Sequence, residues 1–271
     1  MSNIYDYQGN IIQTGGGTSF TISDYDRTVK GVAHRGYSTT APENTLPAYK
    51  LAKQMGFFYV ETDISFTSDG VPVCLHDSTI NRTSNGTGNI NSLTWAQVQE
   101  YDFGSWKSAN YAGTRIPSFE QFIKLCRDIA LYPYIELKNS ATYTEAQIQG
   151  LVDTVKTLGM KGKVSWISFS STYLTYVKNY DEHARLGFVV DGLSSTNIAT
   201  AQGLKTATNE VFIDTSAVTD AAATLCINGN LPMEVWTVDN ANTIKNANPY
   251  ITGFTSNSLI AGKILYEANI N

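Results

Sequence analysis

Four short strings hold the side chains best able to do chemistry: His34-Arg35-Gly36, Glu61-Thr62-Asp63, His76-Asp77 and Glu136-Leu137-Lys138. On a strand, residues two apart point to the same face. Glu61 and Asp63 would then lie side by side, as would Glu136 and Lys138. Paired carboxylates in a packed sheet are costly unless a cation neutralises them. Oxygen donors of this kind suit Ca²⁺ or Mg²⁺, and Glu136 would complete a three-carboxylate metal site. Arg35 belongs to the residue type that grips phosphate or carboxylate with two prongs. Lys138 is placed to hold a substrate phosphate, and Gly36 permits close backbone approach. His34 and His76 bring the side chain best suited to moving protons near neutral pH. Together these residues point to a metal-dependent active site acting on a phosphate ester. Trp236, at the end of a late strand, is either core packing or a wall of the substrate pocket. His183 reads as a surface turn residue.

Other hydrolytic machinery is missing from the sequence. There is no GxSxG, no HExxH and no clustered Cys/His set of zinc ligands. Cys74, Cys126 and Cys226 are far apart and odd in number, which reads as three buried small hydrophobes.

Strands and helices must position these groups. Apolar runs predict strands at Gly31–His34, Phe58–Ile64, Pro133–Leu137, Val164–Phe169, Arg185–Val190, Val211–Asp214, Glu234–Val238 and Ile251–Thr255. Amphipathic stretches predict helices at Thr45–Met55, Ser118–Ala130, Thr144–Leu158, Thr172–Tyr180, Asn197–Thr206, Asp220–Ile227 and Ala241–Ala247. Alternation of this kind implies a parallel sheet, here an α/β fold closed as a (β/α)₈ barrel. The competitor is an open doubly wound sheet, but no GxGxxG follows a strand. The run Pro72–His76 follows its predecessor too closely for a parallel crossover. A turn at Ser68-Asp69-Gly70 would make it a β-hairpin extension of the second strand. Counting back from that turn sets His76 opposite Thr62, beside Glu61 and Asp63. Residues 77–117 form a long excursion with a short helix at Thr94–Tyr101, and Phe103, Trp106 and Tyr111 suggest an ordered lid. Residues 1–28 read as an irregular lead-in packed on the barrel, or as a segment for attachment to a larger assembly. Residues 29–271 read as the barrel domain.

Composition narrows the partners. The chain has 271 residues, and 42% of them are hydrophobic, enough for a full core. A net charge of −5 argues against a nucleic-acid backbone as ligand. No apolar run spans a membrane. The N-terminal sequence has no basic n-region or apolar h-region, so no signal peptide is expected in it. Only 16% of residues are charged, so the surface is polar but weakly charged, compatible with an extracellular or particle-bound protein. The compartment itself is left open.

The ordered motifs resemble the glycerophosphodiester phosphodiesterase family, within the superfamily of phospholipase-C-like phosphodiesterases that adopt TIM barrels. They run from HRG at 34–36, PENT at 42–45, ExD at 61–63 and TSDGVPVCLHD at 67–77 through NRTSNGTGNI at 81–90 and LTWAQVQEYDFGSW at 93–106. IPSFEQF at 116–122, IELK at 135–138, ISF at 167–169 and VWTVDN at 235–240 complete the set. The resemblance implies that His34 and His76 are the general acid and base. It implies Glu61, Asp63 and Glu136 as ligands of a divalent metal ion, and Arg35 and Lys138 as phosphate binders. Asn44 would support the site near the first histidine. The implied reaction cleaves a glycerophosphodiester into an alcohol and glycerol phosphate. Where members of the family end the last strand with ITDxP, this chain reads GFTSNSL at 253–259. Asn257 is therefore expected to alter the pocket rim. Two alternatives stand beside this reading: a sphingomyelinase-D-like phosphodiesterase, and a non-catalytic binder of glycerol-phosphate polymers.

Overall fold

The computed structural model describes residues 4–5, 11–12, 30–139, 142–240, 242–243 and 247–257. Eight parallel strands close into a barrel: β1 (Lys30–Ala33), β2 (Tyr59–Phe66), β4 (Tyr132–Leu137), β5 (Ser165–Ser168), β6 (Arg185–Val190), β7 (Glu210–Thr215), β8 (Met233–Val235) and β9 (Ile251–Ser256). β1 pairs with both β2 and β9, which shuts the ring. Strands covered on both faces read as continuous apolar runs rather than alternating ones. That is why β6 and β7 are buried over all but their first residue.

Between the strands run α1 (Leu46–Gln54), α2 (Trp95–Val98), α3 (Phe119–Asp128), α4 (Glu145–Thr157), α5 (Ser171–Tyr180), α6 (Ser195–Leu204) and α7 (Asp220–Gly229). Their starts are written in the sequence. Ser118, Thr144 and Ser194 each cap a helix, with Gln121, Gln147 and Asn197 closing the capping box. The apolar faces of the helices pack on the outside of the barrel. There Trp166, Phe119, Phe122 and Leu186 form part of the main core with the three free, buried cysteines.

The hairpin forms as expected. β3 (Pro72–Cys74) runs antiparallel to β2, with Ile64 opposite Cys74 and Phe66 opposite Pro72. Gly70 turns the chain at φ +80°, a left-handed conformation that favours glycine. The ladder stops at Cys74, but Leu75 N still donates to Asp63 O at 3.0 Å. His76 is thereby level with Thr62.

The excursion after β3 is ordered around its own small core of Val73, Leu75, Ile80, Ile90, Val98, Phe103 and Ile116. Its helix is shorter than expected, only Trp95–Val98. The strand expected at Glu234–Val238 also ends early, at Val235, so Trp236 lies just past it. Ile4–Tyr5 and Ile11–Ile12 form a short antiparallel pair. The remainder of the 1–28 lead-in lies outside the described residues. So does most of the helix expected at Ala241–Ala247. Among the described residues no helix is long and apolar enough to cross a membrane.

Candidate active site

All the singled-out groups except His183 gather at the C-terminal ends of the strands, where barrels of this type carry their sites. His34 follows β1 directly, and its N–H bonds Ser256 O of the neighbouring β9 at 2.8 Å. The turn after it is tight. Arg35 and Gly36 both take positive φ, 55° and 81°. A Cβ on Gly36 would lie 2.7 Å from the Ala48 carbonyl carbon, so only glycine lets this turn fold against α1.

The carboxylates come together through strand register. Asp63 and Glu136 are direct partners across the β2–β4 ladder, and Glu61 is two residues back on the same face. Ligand oxygens of Glu61, Asp63 and Glu136 lie within 4.8 Å of one another, and all three side chains are buried. Asp63 Oδ2 accepts from Asn44 Nδ2 at 2.8 Å and lies 3.2 Å from Arg35 Nε. Lys138 Nζ stands 3.3 Å from Asp63 Oδ1 and 2.8 Å from Glu136 Oε1. Glu61 Oε2 accepts from Arg35 N at 2.9 Å, while Glu61 Oε1 is buried without a hydrogen-bond donor.

Burial pushes the Glu61 carboxyl well up, and the charges of Asp63 and Glu136 add to that. Burial and the charge of Asp63 likewise raise Glu136 to about 7. Burial also opposes the charge of Asp63, but Arg35 and Lys138 override it and hold this carboxyl well below the usual range. One firm anion, two carboxyls that resist ionising and an oxygen without a donor make a set that fits a hard divalent cation.

The two histidines flank this cluster. His34 Nε2 lies 4.0 Å from Glu61 Oε2, and Nδ1 lies 2.8 Å from Asn257 Oδ1. Burial, then the positive charge of Arg35, lower the His34 pKa. His76 Nδ1 lies 2.7 Å from Asp77 Oδ1, and its charge is one of those acting on Asp63. Arg82 bonds both Asp77 and Glu43, and Glu43 in turn accepts from Arg35 Nη1 at 2.8 Å. A chain of ion pairs thus links the surroundings of the two histidines.

Some expectations need adjusting. The Arg35 guanidinium is already engaged by Glu43 and Asp63, so it braces the acidic cluster besides any contact with a ligand. Trp236 is half-buried and meets Phe169 edge-on at 5.6 Å, forming an aromatic wall just past β5 and β8. His183 is half exposed in a turn, away from the cluster. Asn257 does more than shape a rim, because its side chain contacts His34. The sequence reading gave no role to Glu43, Asp77, Arg82 or Asp239. All four sit inside strings already singled out, and adjacency was the available signal; what Arg82 and Asp239 touch is set by tertiary structure.

Fold and site together define a (β/α)₈ barrel with a buried carboxylate cluster between two histidines at the C-terminal mouth. The glycerophosphoryl diester phosphodiesterase family model matches residues 34–254, and the chain belongs to that family. A glycerophosphodiester phosphodiesterase of Caldanaerobacter subterraneus is 32% identical over 158 residues, 58% of this chain and 65% of that protein. Glycerophosphodiester phosphodiesterase 1 of Mus musculus is 38% identical over 125 residues, 45% of this chain and 38% of that protein. The matched stretches thus span less than two thirds of these relatives' length. A phosphodiesterase structure from Oleispira antarctica, in complex with sn-glycerol-3-phosphate, superposes with a TM-score of 0.75. It covers 91% of this chain and 99% of that one at 24% identity. The glycerophosphodiester phosphodiesterase structure from Agrobacterium tumefaciens gives a TM-score of 0.71, covering 87% of this chain and 100% of that one at 24% identity. These likenesses establish the shared barrel.

Proposed function

We propose that this chain hydrolyses a glycerophosphodiester to an alcohol and glycerol phosphate, with a divalent cation on Glu61, Asp63 and Glu136. The observation that carries the reading is the buried carboxylate trio bracketed by two side-chain-oriented histidines. A cation held there would neutralise phosphoryl oxygens. Every donor is a carboxylate oxygen, which suits Ca²⁺ and Mg²⁺ alike. Lys138 and the remaining face of Arg35 border the same space and would stabilise charge on the phosphoryl group as it reacts. His34, held neutral by burial, would accept the proton of the attacking hydroxyl at Nε2. As the new P–O bond forms, the bond to the leaving alcohol breaks. His76, oriented through Nδ1 by Asp77, would give that oxygen a proton from Nε2. If the substrate's own 2-hydroxyl attacks, the product is a cyclic phosphate, which water opens with the two roles exchanged. Phe169 and Trp236 would wall the apolar side of the glycerol.

The test is turnover of glycerophosphocholine with Ca²⁺ or Mg²⁺, with and without chelator, followed by product identification. Glycerol phosphate formed only with cation supports the proposal. A cyclic ceramide phosphate from sphingomyelin would favour the sphingomyelinase-D-like alternative. Binding of a glycerol-phosphate polymer without turnover at any cation concentration would favour a binding module. His34→Ala and His76→Ala should each lower kcat about 10²–10⁴-fold, and near-full turnover in either would remove that histidine from the mechanism.

A further inference from the structure

The contact between His34 Nδ1 and Asn257 Oδ1, at 2.8 Å, does not by itself fix the ring's tautomer. An imidazole nitrogen can donate to an amide oxygen or accept from an amide nitrogen, and the amide can be turned over. Asp239 removes the ambiguity. Asn257 Nδ2 donates to Asp239 Oδ2 at 2.7 Å. Turning the amide would press its oxygen against that carboxylate oxygen. The backbone N–H of Asn257 and the hydroxyl of Ser256 also donate to Asp239 Oδ1, each at 2.7 Å. Ser38 Oγ donates to Asn257 Oδ1 at 3.0 Å, as suits an oxygen there. With the amide fixed, His34 Nδ1 must carry the hydrogen. Nε2 is then a bare lone pair on the side of the acidic cluster, 4.0 Å from Glu61 Oε2.

We propose that Asp239 and Asn257 are positioning residues for the reaction: Asp239 orients the Asn257 amide, and the amide oxygen holds His34 as the Nδ1–H tautomer with Nε2 free to take a proton. This rests on reading His34 as a proton carrier. Free neutral histidine favours the opposite tautomer, so the protein must impose this one. A rival role for Asn257 is a plain tether, because Thr39 N and Thr39 Oγ1 bond Asn257 O at 3.2 and 3.0 Å. Those bonds use a main-chain carbonyl that any residue at this position supplies. Replacing the side chain therefore separates the two roles.

The experiment is ¹⁵N-histidine NMR of the full chain, with the three rings assigned by His34→Ala, His76→Ala and His183→Ala, alongside kinetics on glycerophosphocholine. Neutral His34 should show a protonated Nδ1 and a bare Nε2; the reverse pattern in the unsubstituted protein overturns the proposal without any variant. Asn257→Leu should move His34 toward Nε2–H and lower kcat about 10–100-fold. The exchange Asn257→Asp with Asp239→Asn puts the carboxylate beside Nδ1 and the amide behind it. It should restore the Nδ1–H pattern and most of kcat. Thr39→Val, which cuts a tether bond only, should leave the tautomer in place. An unchanged tautomer in Asn257→Leu, or a switched tautomer with unchanged kcat while His34→Ala is inactive, defeats the proposal. If His34→Ala itself turns over normally, the catalytic reading of His34 fails instead, and the nitrogen shifts still decide which tautomer the protein imposes.

Discussion

Glu136 shows how one residue can report the state of the whole acidic cluster. Its carboxyl group, raised to about 7 by burial and by Asp63, keeps a proton in the folded, metal-free protein that the unfolded chain loses near pH 4.5. Its contribution to stability is therefore complete below about pH 4.5 and fades as pH rises through about 7. Glu61 is shifted in the same direction. Asp63, held low, acts only in more acid solution, where its contribution is lost as pH falls. A cation must displace the protons on Glu61 and Glu136, so it binds more tightly as pH rises. Thermal melts in chelator are expected to fall between pH 5.5 and 7.5, by about 2–4 °C for each kcal/mol lost. The gain in Tm on adding Ca²⁺ or Mg²⁺ should grow over the same interval. A cation effect that is constant or shrinks with pH would show that these carboxyls are not its ligands. The cluster was legible in the sequence because strand geometry puts i and i+2 on one face. The contact of His34 with Asn257 was not: 223 residues separate them, and only the β1–β9 register joins them.

At the scale of elements, the site depends on a few backbone turns more than on the strands themselves. The turn after β1 and the hairpin turn after β2 both use a glycine at positive φ, yet they differ in surroundings. Gly70 faces open space, whereas a Cβ on Gly36 would meet the α1 backbone at 2.7 Å. Gly70→Ala should therefore cost only the conformational strain, about 1–2 kcal/mol, and leave kcat nearly intact. Gly36→Ala adds a backbone clash to similar strain, so the turn must shift and carry His34 and Arg35 with it. Its expected signature is a larger loss of stability in urea together with a fall in kcat of at least about 10-fold, since small misplacements of catalytic groups are costly. Equal effects from the two alanines would mean that the β1 turn can relax without moving His34. Capping residues and hairpin spacing made most of these elements legible. The early end of β8, and the small core that orders residues 77–117, were not, because both depend on neighbours distant in sequence.

Across the whole molecule, the barrel divides its polar groups between its two ends. The C-terminal mouth holds the carboxylate cluster of Glu61, Asp63 and Glu136. The N-terminal end is closed by Arg185 at the start of β6. Its Nη2 lies 2.6 Å from Glu234 Oε1, Nη1 donates to Tyr134 OH and Ser165 Oγ, and the guanidinium stacks 4.0 Å over the Phe212 ring. Lys30 adds a second cation 3.3 Å from Glu234 Oε1. Removing one partner of a buried pair strands the other charge, at a cost of about 3–5 kcal/mol. Arg185→Met leaves Glu234 with the Lys30 ammonium and the Tyr134 hydroxyl, each at 3.3 Å, and removes the donor to Tyr134 OH and Ser165 Oγ. It should lower the unfolding free energy read from a urea titration by about that amount. The mouth shares none of these contacts, so kcat and KM on glycerophosphocholine at 25 °C should stay within about twofold while the protein is folded. Stability lost with kinetics intact would assign the floor to the scaffold alone. If the cation affinity of the mouth falls as well, the two ends are coupled through the layer of Tyr134, Phe212 and Ile167 that fills the barrel between them.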